Sequence, residues 1–187
     1  MVLPRYEDLK EEISAVSCTP LDPTKMFSLY IAVGFWSTYT VDLLSVASVD
    51  GHFEPVCNPV SLSALPRSLL LHDFGNAPQL LVGLRDGTLV AFALVKNEFQ
   101  DKRVFSLGTE PVGLTQFEMG EKNVVFASGT RAALFFSERG ILQHSSILIK
   151  VSVTLLRKST PFKAHLPNRA SLQAQGSTHR TGCPLCF

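Results

Sequence analysis

From Leu80 to Val95 the chain reads LLVGLRDGTLVAFALV, two apolar runs hinged on Asp86-Gly87. An Asp-Gly pair between such runs is a strong hairpin signal, because a type I′ turn needs positive φ at both central positions. The pattern predicts antiparallel strands over Leu80–Arg85 and Thr88–Val95. A lone hairpin is marginal in water, so further strands are required of the same chain.

The same grammar recurs at LYIAVGFWSTYTVDLLSV (Leu29–Val46) and NVVFASGTRAALFFS (Asn123–Ser137). Gly34 and Gly83 stand 49 residues apart, as do Val41 and Val90, while Val90 and Phe135 are 45 apart. A strand-like segment precedes each pair (Glu12–Thr19, Arg67–Phe74, Val112–Glu118) and another follows it (FEPVCNPVSL, RVFSLGT, ILQHSSILI). Four short strands per repeat of this length are the signature of β-propeller blades. The expected fold is therefore all-β, a partial propeller of about three four-stranded blades over residues 1–150, without the Gly-His and Trp-Asp dipeptides of WD40 repeats. Inward positions are expected at Val33, Leu43, Leu71, Leu81, Val90, Phe92, Val125 and Phe135, with tight turns near Asp86-Gly87 and Gly129-Thr130. Helical periodicity is confined to YEDLKEEI (Tyr6–Ile13). Because a ring needs about four to eight blades, the arc is expected to be a piece of a larger propeller and poorly stable alone.

Charge divides the chain at the same place. Residues 1–150 hold all 16 acids against 12 Lys and Arg, a net −4, whereas residues 151–187 hold no acid and 5 Lys and Arg, a net +5. That second stretch lacks apolar alternation and reads as a divergent basic tail, mostly disordered. Composition, 45% hydrophobic and 18% charged, supports a packed core before it. No run of apolar residues is long enough to span a membrane, and the charged N-terminal segment is unlike a signal peptide, so the reading is soluble and intracellular, with no membrane partner. Four scattered cysteines fit a reducing compartment.

Candidate chemistry changes this picture little. Cys183-Pro-Leu-Cys186, with His165 and His179 before it, has the residue types of a zinc site but no strands to frame it, so a pair of terminal thiols is the better reading and no metal is expected. His52, His72 and His144 lie in unrelated contexts, no Gly-x-Ser-x-Gly elbow is present, and neither phosphate-binding glycine motif occurs. An enzyme is not expected, nor a cofactor. The arc is acidic with dispersed basic residues, which leaves nucleic acid as at most an indirect partner. Trp36, the only tryptophan, falls in GFWST where the second strand of the first blade enters a turn. It either packs within the blade against Tyr39 or Phe35 or serves as a partner-binding anchor, since loop-borne Trp is enriched at interface hot spots.

Together PRSLLLHDF, LLVGLRDGTLVAF, LGTEPVGLTQF and NVVFASGTRAALFFSERGIL resemble the second β-propeller of the DNA damage-binding protein 1 family. Its superfamily also holds the large subunits of the cleavage-polyadenylation factor and of splicing factor 3b. AVGFWSTYTVDLLSV fits the preceding blade, and the resemblance covers roughly residues 12–150. It implies a non-enzymatic interaction scaffold of nucleus and cytoplasm, an adaptor between a cullin-RING ubiquitin ligase and its substrate receptors in DNA repair and regulated proteolysis. In that family the second propeller is the cullin-docking one, which puts Trp36 on a docking propeller, and substrate receptors are clamped by the first and third propellers, which this chain lacks. After Lys150 the family pattern stops, as if the chain were truncated or read in another frame. The alternative function is a scaffold subunit of a splicing or polyadenylation complex.

Overall fold

A computed structural model describes residues 11–147, except 23, 47–52, 76 and 121. The described residues form three antiparallel sheets in chain order and no helix. The first blade contains β1 (Ile13–Ser17), β2 (Tyr30–Phe35), β3 (Thr40–Ser45) and an outer edge in two pieces, β4 (Glu54–Pro55) and β5 (Val60–Ser61). The second is β6 (Pro66–Asp73), β7 (Pro78–Leu84), β8 (Thr88–Val95) and β9 (Glu98–Ser106). The third is β10 (Gly113–Met119), β11 (Lys122–Ser128), β12 (Ala133–Glu138) and β13 (Ile141–Ser146). Within each sheet every strand pairs with the next, except that β4 and β5 both pair with β3, and the first strand of each blade lies nearest the first strand of its neighbour. This is the up-and-down blade of a β-propeller.

Blade 2 explains why its strands read as continuous apolar runs. Leu80, Val82 and Leu84 pack toward blade 1 with Ala32, Val41 and Leu43. Leu81, one residue out of step, packs toward blade 3 with Val125, Ala133 and Phe135. A strand with period-two side chains that is covered on both faces must be apolar at every position. All the inward positions expected from the sequence are buried, with Val33 on the opposite face of blade 1 beside Phe35 and Leu44.

The glycines that revealed the repeat have a packing role. A Cβ at Gly34 would lie 3.0 Å from the Pro66 ring, and one at Gly83 would overlap the Val112 carbonyl oxygen and the Ser68 hydroxyl. Pro66 and Val112 each stand where the chain enters the inner strand of the following blade, while Ser68 belongs to the inner strand of Gly83's own blade. The 49-residue spacing therefore marks a point of close approach between one blade and the entry to the next.

Several boundaries depart from the sequence expectation. The Asp86-Gly87 turn is not type I′: Arg85, Asp86 and Gly87 form a three-residue connection in which only Gly87 has positive φ, +85°. Asp86 Oδ1 accepts from the Thr88 N–H at 3.0 Å, so the Asp caps a right-handed turn instead of entering the left-handed region. True two-residue left-handed turns occur at Lys96-Asn97 (φ 51° and 61°) and Arg139-Gly140 (φ 53° and 76°). The first of these starts β9 at Glu98, ahead of the RVFSLGT segment, and the strand ends before Leu107. The expected fourth strand of blade 1 splits because Pro55 and Pro59 supply no N–H to a ladder. Of the expected helix, Tyr6–Lys10 lie outside the described residues, while Glu11 and Glu12 are irregular and Ile13 begins β1.

Between the inner strands of blades 2 and 3, His72 Nδ1 stands 3.1 Å from Gln116 Oε1, its ring edge-on to Phe74 at 4.6 Å. Its Nε2 is buried without a hydrogen-bond partner. Burial holds its pKa below the ordinary 6.5, outweighing the Gln116 hydrogen bond and the Asp73 charge that favour the cation. The folded state thus prefers the neutral ring. Its contribution to stability is complete above pH 6.5 and is lost as pH falls from there through the lower folded-state pKa. Urea midpoints at pH 7.5 and pH 5 should differ less in His72→Gln than in the wild type, and equal differences would remove His72 from the acid response.

Candidate protein-docking face

One end of the three sheets gathers the β2–β3 turn (36–39), the β7–β8 turn (85–87) and the β11–β12 turn (129–132), with the links from each outer strand to the next blade. Backbone bonds stitch this end together. Arg85 N–H donates to Leu65 O at 2.9 Å, Leu107 N–H to Gly87 O at 2.8 Å, and Arg131 N–H to Leu107 O at 2.8 Å. Thr130 Oγ1 accepts from the N–H groups of Thr109 and Glu110, both at 3.3 Å. Each turn is thereby fixed to a neighbouring link, and the side chains it presents share a rigid support.

Trp36 opens the first of these turns and is 43% exposed, with Tyr39 41% exposed at its close. Blades 2 and 3 add the exposed charges of Arg85, Asp86, Glu110 and Arg131 at the same end. The Trp36 turn is held from both sides. Its Trp36 N–H donates to Glu12 O at 2.8 Å on the inner side, and Leu62 N–H donates to Tyr39 O at 2.9 Å on the outer side. Thr38 Oγ1 donates to Glu11 Oε2 at 2.8 Å and lies 2.9 Å from Thr40 Oγ1. Tyr39 has φ 54°, a left-handed conformation that is uncommon for a bulky residue. Such outliers persist only where their surroundings hold them, and they cluster at functional turns. Trp36 was legible as a loop-borne aromatic; Glu11, Thr38 and the Tyr39 backbone were not, because no local pattern foretells a hydrogen bond across 27 residues.

On the sheet face behind this turn, Asp42 pairs with Val33 and is half-buried. Burial, and secondarily the Glu11 charge, pushes its carboxyl above the ordinary range. Burial likewise pushes the Cys57 thiol up, with a further push from Asp42, which makes it a poor nucleophile. Among the described residues no group of three or more His, Cys, Asp or Glu could hold a metal ion. His165, His179, Cys183, Cys186 and His52 lie outside the described residues. His144 stacks on Phe135 at 5.7 Å and meets Phe105 at 5.1 Å, a packing role at the rim of the seam between blades 2 and 3. No described helix is long and apolar enough to cross a membrane.

Consecutive four-stranded antiparallel blades, packed face to face and stitched at their turns, define a β-propeller segment. The second beta-propeller description shared by RSE1, DDB1 and CPSF1 matches residues 4–176, a wider span than the residues 12–150 over which the sequence resemblance is read and one that runs past Lys150, and the chain belongs to that family. Among similar proteins, DNA damage-binding protein 1 of Oryza sativa subsp. japonica is 29% identical over 177 residues, 92% of this chain and 15% of that protein. DNA damage-binding protein 1 of Drosophila melanogaster is 29% identical over 144 residues, 76% of this chain and 12% of that protein. DNA damage-binding protein 1a of Arabidopsis thaliana is 28% identical over 144 residues, 76% of this chain and 13% of that protein. The chain thus spans 12–15% of the length of these curated relatives.

Proposed function

We propose that the chain is a non-enzymatic interaction scaffold, a segment of an adaptor that joins a cullin-RING ubiquitin ligase to its substrate receptors, and that its Trp36 end docks the cullin scaffold. The observation that carries this reading is a clamped turn in a propeller of this family, with two large aromatics facing solvent. Trp and Tyr on rigid supports supply large contact area at little entropic cost, which is how interface anchors work. Substrate receptors would engage propellers outside this chain, nucleic acid would be reached only through partners, and the setting would be nucleus and cytoplasm. The names of the relatives favour this reading over a splicing or polyadenylation scaffold.

In the 187-residue chain, Trp36→Ala should weaken binding of a cullin N-terminal domain by about 2 kcal/mol, the size of a hot spot. Calorimetric titration measures this, with the unfolding midpoint recorded beside it. A folded Trp36→Ala chain that binds undiminished would remove Trp36 from the interface. Binding and stability lost together would return it to the core.

A further inference from the structure

We infer that the Glu11 carboxylate, acting through Thr38, is the positioning residue of the Trp36–Tyr39 turn; its consequence for partner affinity rests on the docking reading above. Glu11 lies just before β1, outside the turn it holds, and is half-buried. A carboxylate only accepts, so the single Thr38 hydroxyl proton goes to Glu11 Oε2, 2.8 Å away. Thr40, 2.9 Å from Thr38 Oγ1, must then be the donor of the second bond, and the chain of bonds runs in one direction from Thr40 through Thr38 to Glu11.

This relay ties the middle of the turn to the inner edge of the blade. The Tyr39 carbonyl is tied to the outer edge through Leu62, and the Trp36 N–H to Glu12. Both aromatics of this exposed turn face solvent, Trp36 at its start and Tyr39 at its end, and Tyr39 is kept at its uncommon φ of 54°. A bond to a charged acceptor is roughly twice as strong as a neutral one. Without it, Thr38 keeps only the bond to Thr40 and loses its tie to the inner edge of the blade, so a binding partner would have to order more of the turn itself, a cost that preorganisation removes.

Trp36, as the only tryptophan of the chain, reports its own placement. Glu11→Ala and Thr38→Val in the full chain should each raise acrylamide quenching of Trp36 and lower its fluorescence anisotropy, with the far-ultraviolet circular dichroism unchanged. Glu11→Gln and Thr38→Ser, which keep an acceptor and a hydroxyl, should restore the wild-type values. Affinity for the cullin N-terminal domain should fall about 3- to 10-fold in the first two variants, the effect of one hydrogen bond. Wild-type quenching and anisotropy in Thr38→Val overturn the inference even if Glu11→Ala fails to fold, and so does failure of the conservative pair to restore them. Altered fluorescence in Glu11→Ala and Thr38→Val, with undiminished binding by Trp36→Ala, upholds the positioning role and overturns the docking reading alone.

Discussion

Replacing Phe135 by alanine is expected to destabilise the chain by about 3–5 kcal/mol, the cost of emptying a Phe-sized site in a close-packed core. Phe135 is fully buried in the cluster that joins blade 2 to blade 3, among Leu81, Leu89 and Val125. Its ring meets Phe105 edge-on at 5.1 Å and stacks on His144 at 5.7 Å, so aromatic contacts from β9 and β13 are lost with it. Pairs of this kind add about 0.5–1.5 kcal/mol beyond area burial. Urea unfolding followed by circular dichroism measures the loss. A cost below about 1 kcal/mol, typical of surface substitutions and mild ones, would show that the two blades are not joined through this seam.

Gly87→Ala should cost about 2–4 kcal/mol, although it adds a single methyl group at a turn, from a left-handed penalty of about 1–2 kcal/mol and a comparable cost of overpacking. Gly87 has φ +85°, and a Cβ there would overlap the carbonyl group of Gly108. The obstacle is backbone and cannot rotate aside, while the same turn carries the Gly87 O to Leu107 N–H bond of 2.8 Å. The blade 2 turn and the link into blade 3 would have to separate. Thermal unfolding of Gly87→Ala beside Gly75→Ala provides the control, because Gly75 has φ +87° but open space around it. Equal losses in the two variants would assign the whole effect to φ and remove the close approach.

The blades were legible because their period is carried by residues with separate physical reasons to recur. Leu80 to Leu84 had to be apolar without interruption, since both faces of β7 are covered. Gly34 and Gly83 had to be small where the next blade enters. What escaped the reading was set by backbone conformations that side chains signal weakly. Lys96-Asn97 makes a left-handed turn without glycine, and Asp101 enters the left-handed region at φ 52°, where the β8–β9 register shifts beside Phe92. Asp86 looked like half of a type I′ pair yet caps its turn through its own carboxylate. For the docking face, Trp36 could be found by its chemistry alone, whereas Glu11 becomes meaningful only once β1 and β2 are paired and Thr38 is brought beside it.

The close approaches at Gly34 and Gly83 also bear on how a protein of this family could change its number of repeats. At Gly34 the Pro66 ring, and at Gly83 the Val112 carbonyl, come in where a side chain would otherwise stand, so the spacing between one blade and the entry to the next is set locally, by an atom that is absent. The two seams differ in composition while the close approach recurs, with Ala32, Val41 and Leu43 meeting blade 2 on one side and Val125, Ala133 and Phe135 meeting it on the other. A blade duplicated or deleted at such a joint would bring its own bend with it, so curvature behaves as an inheritable property of the repeat and not of the ring.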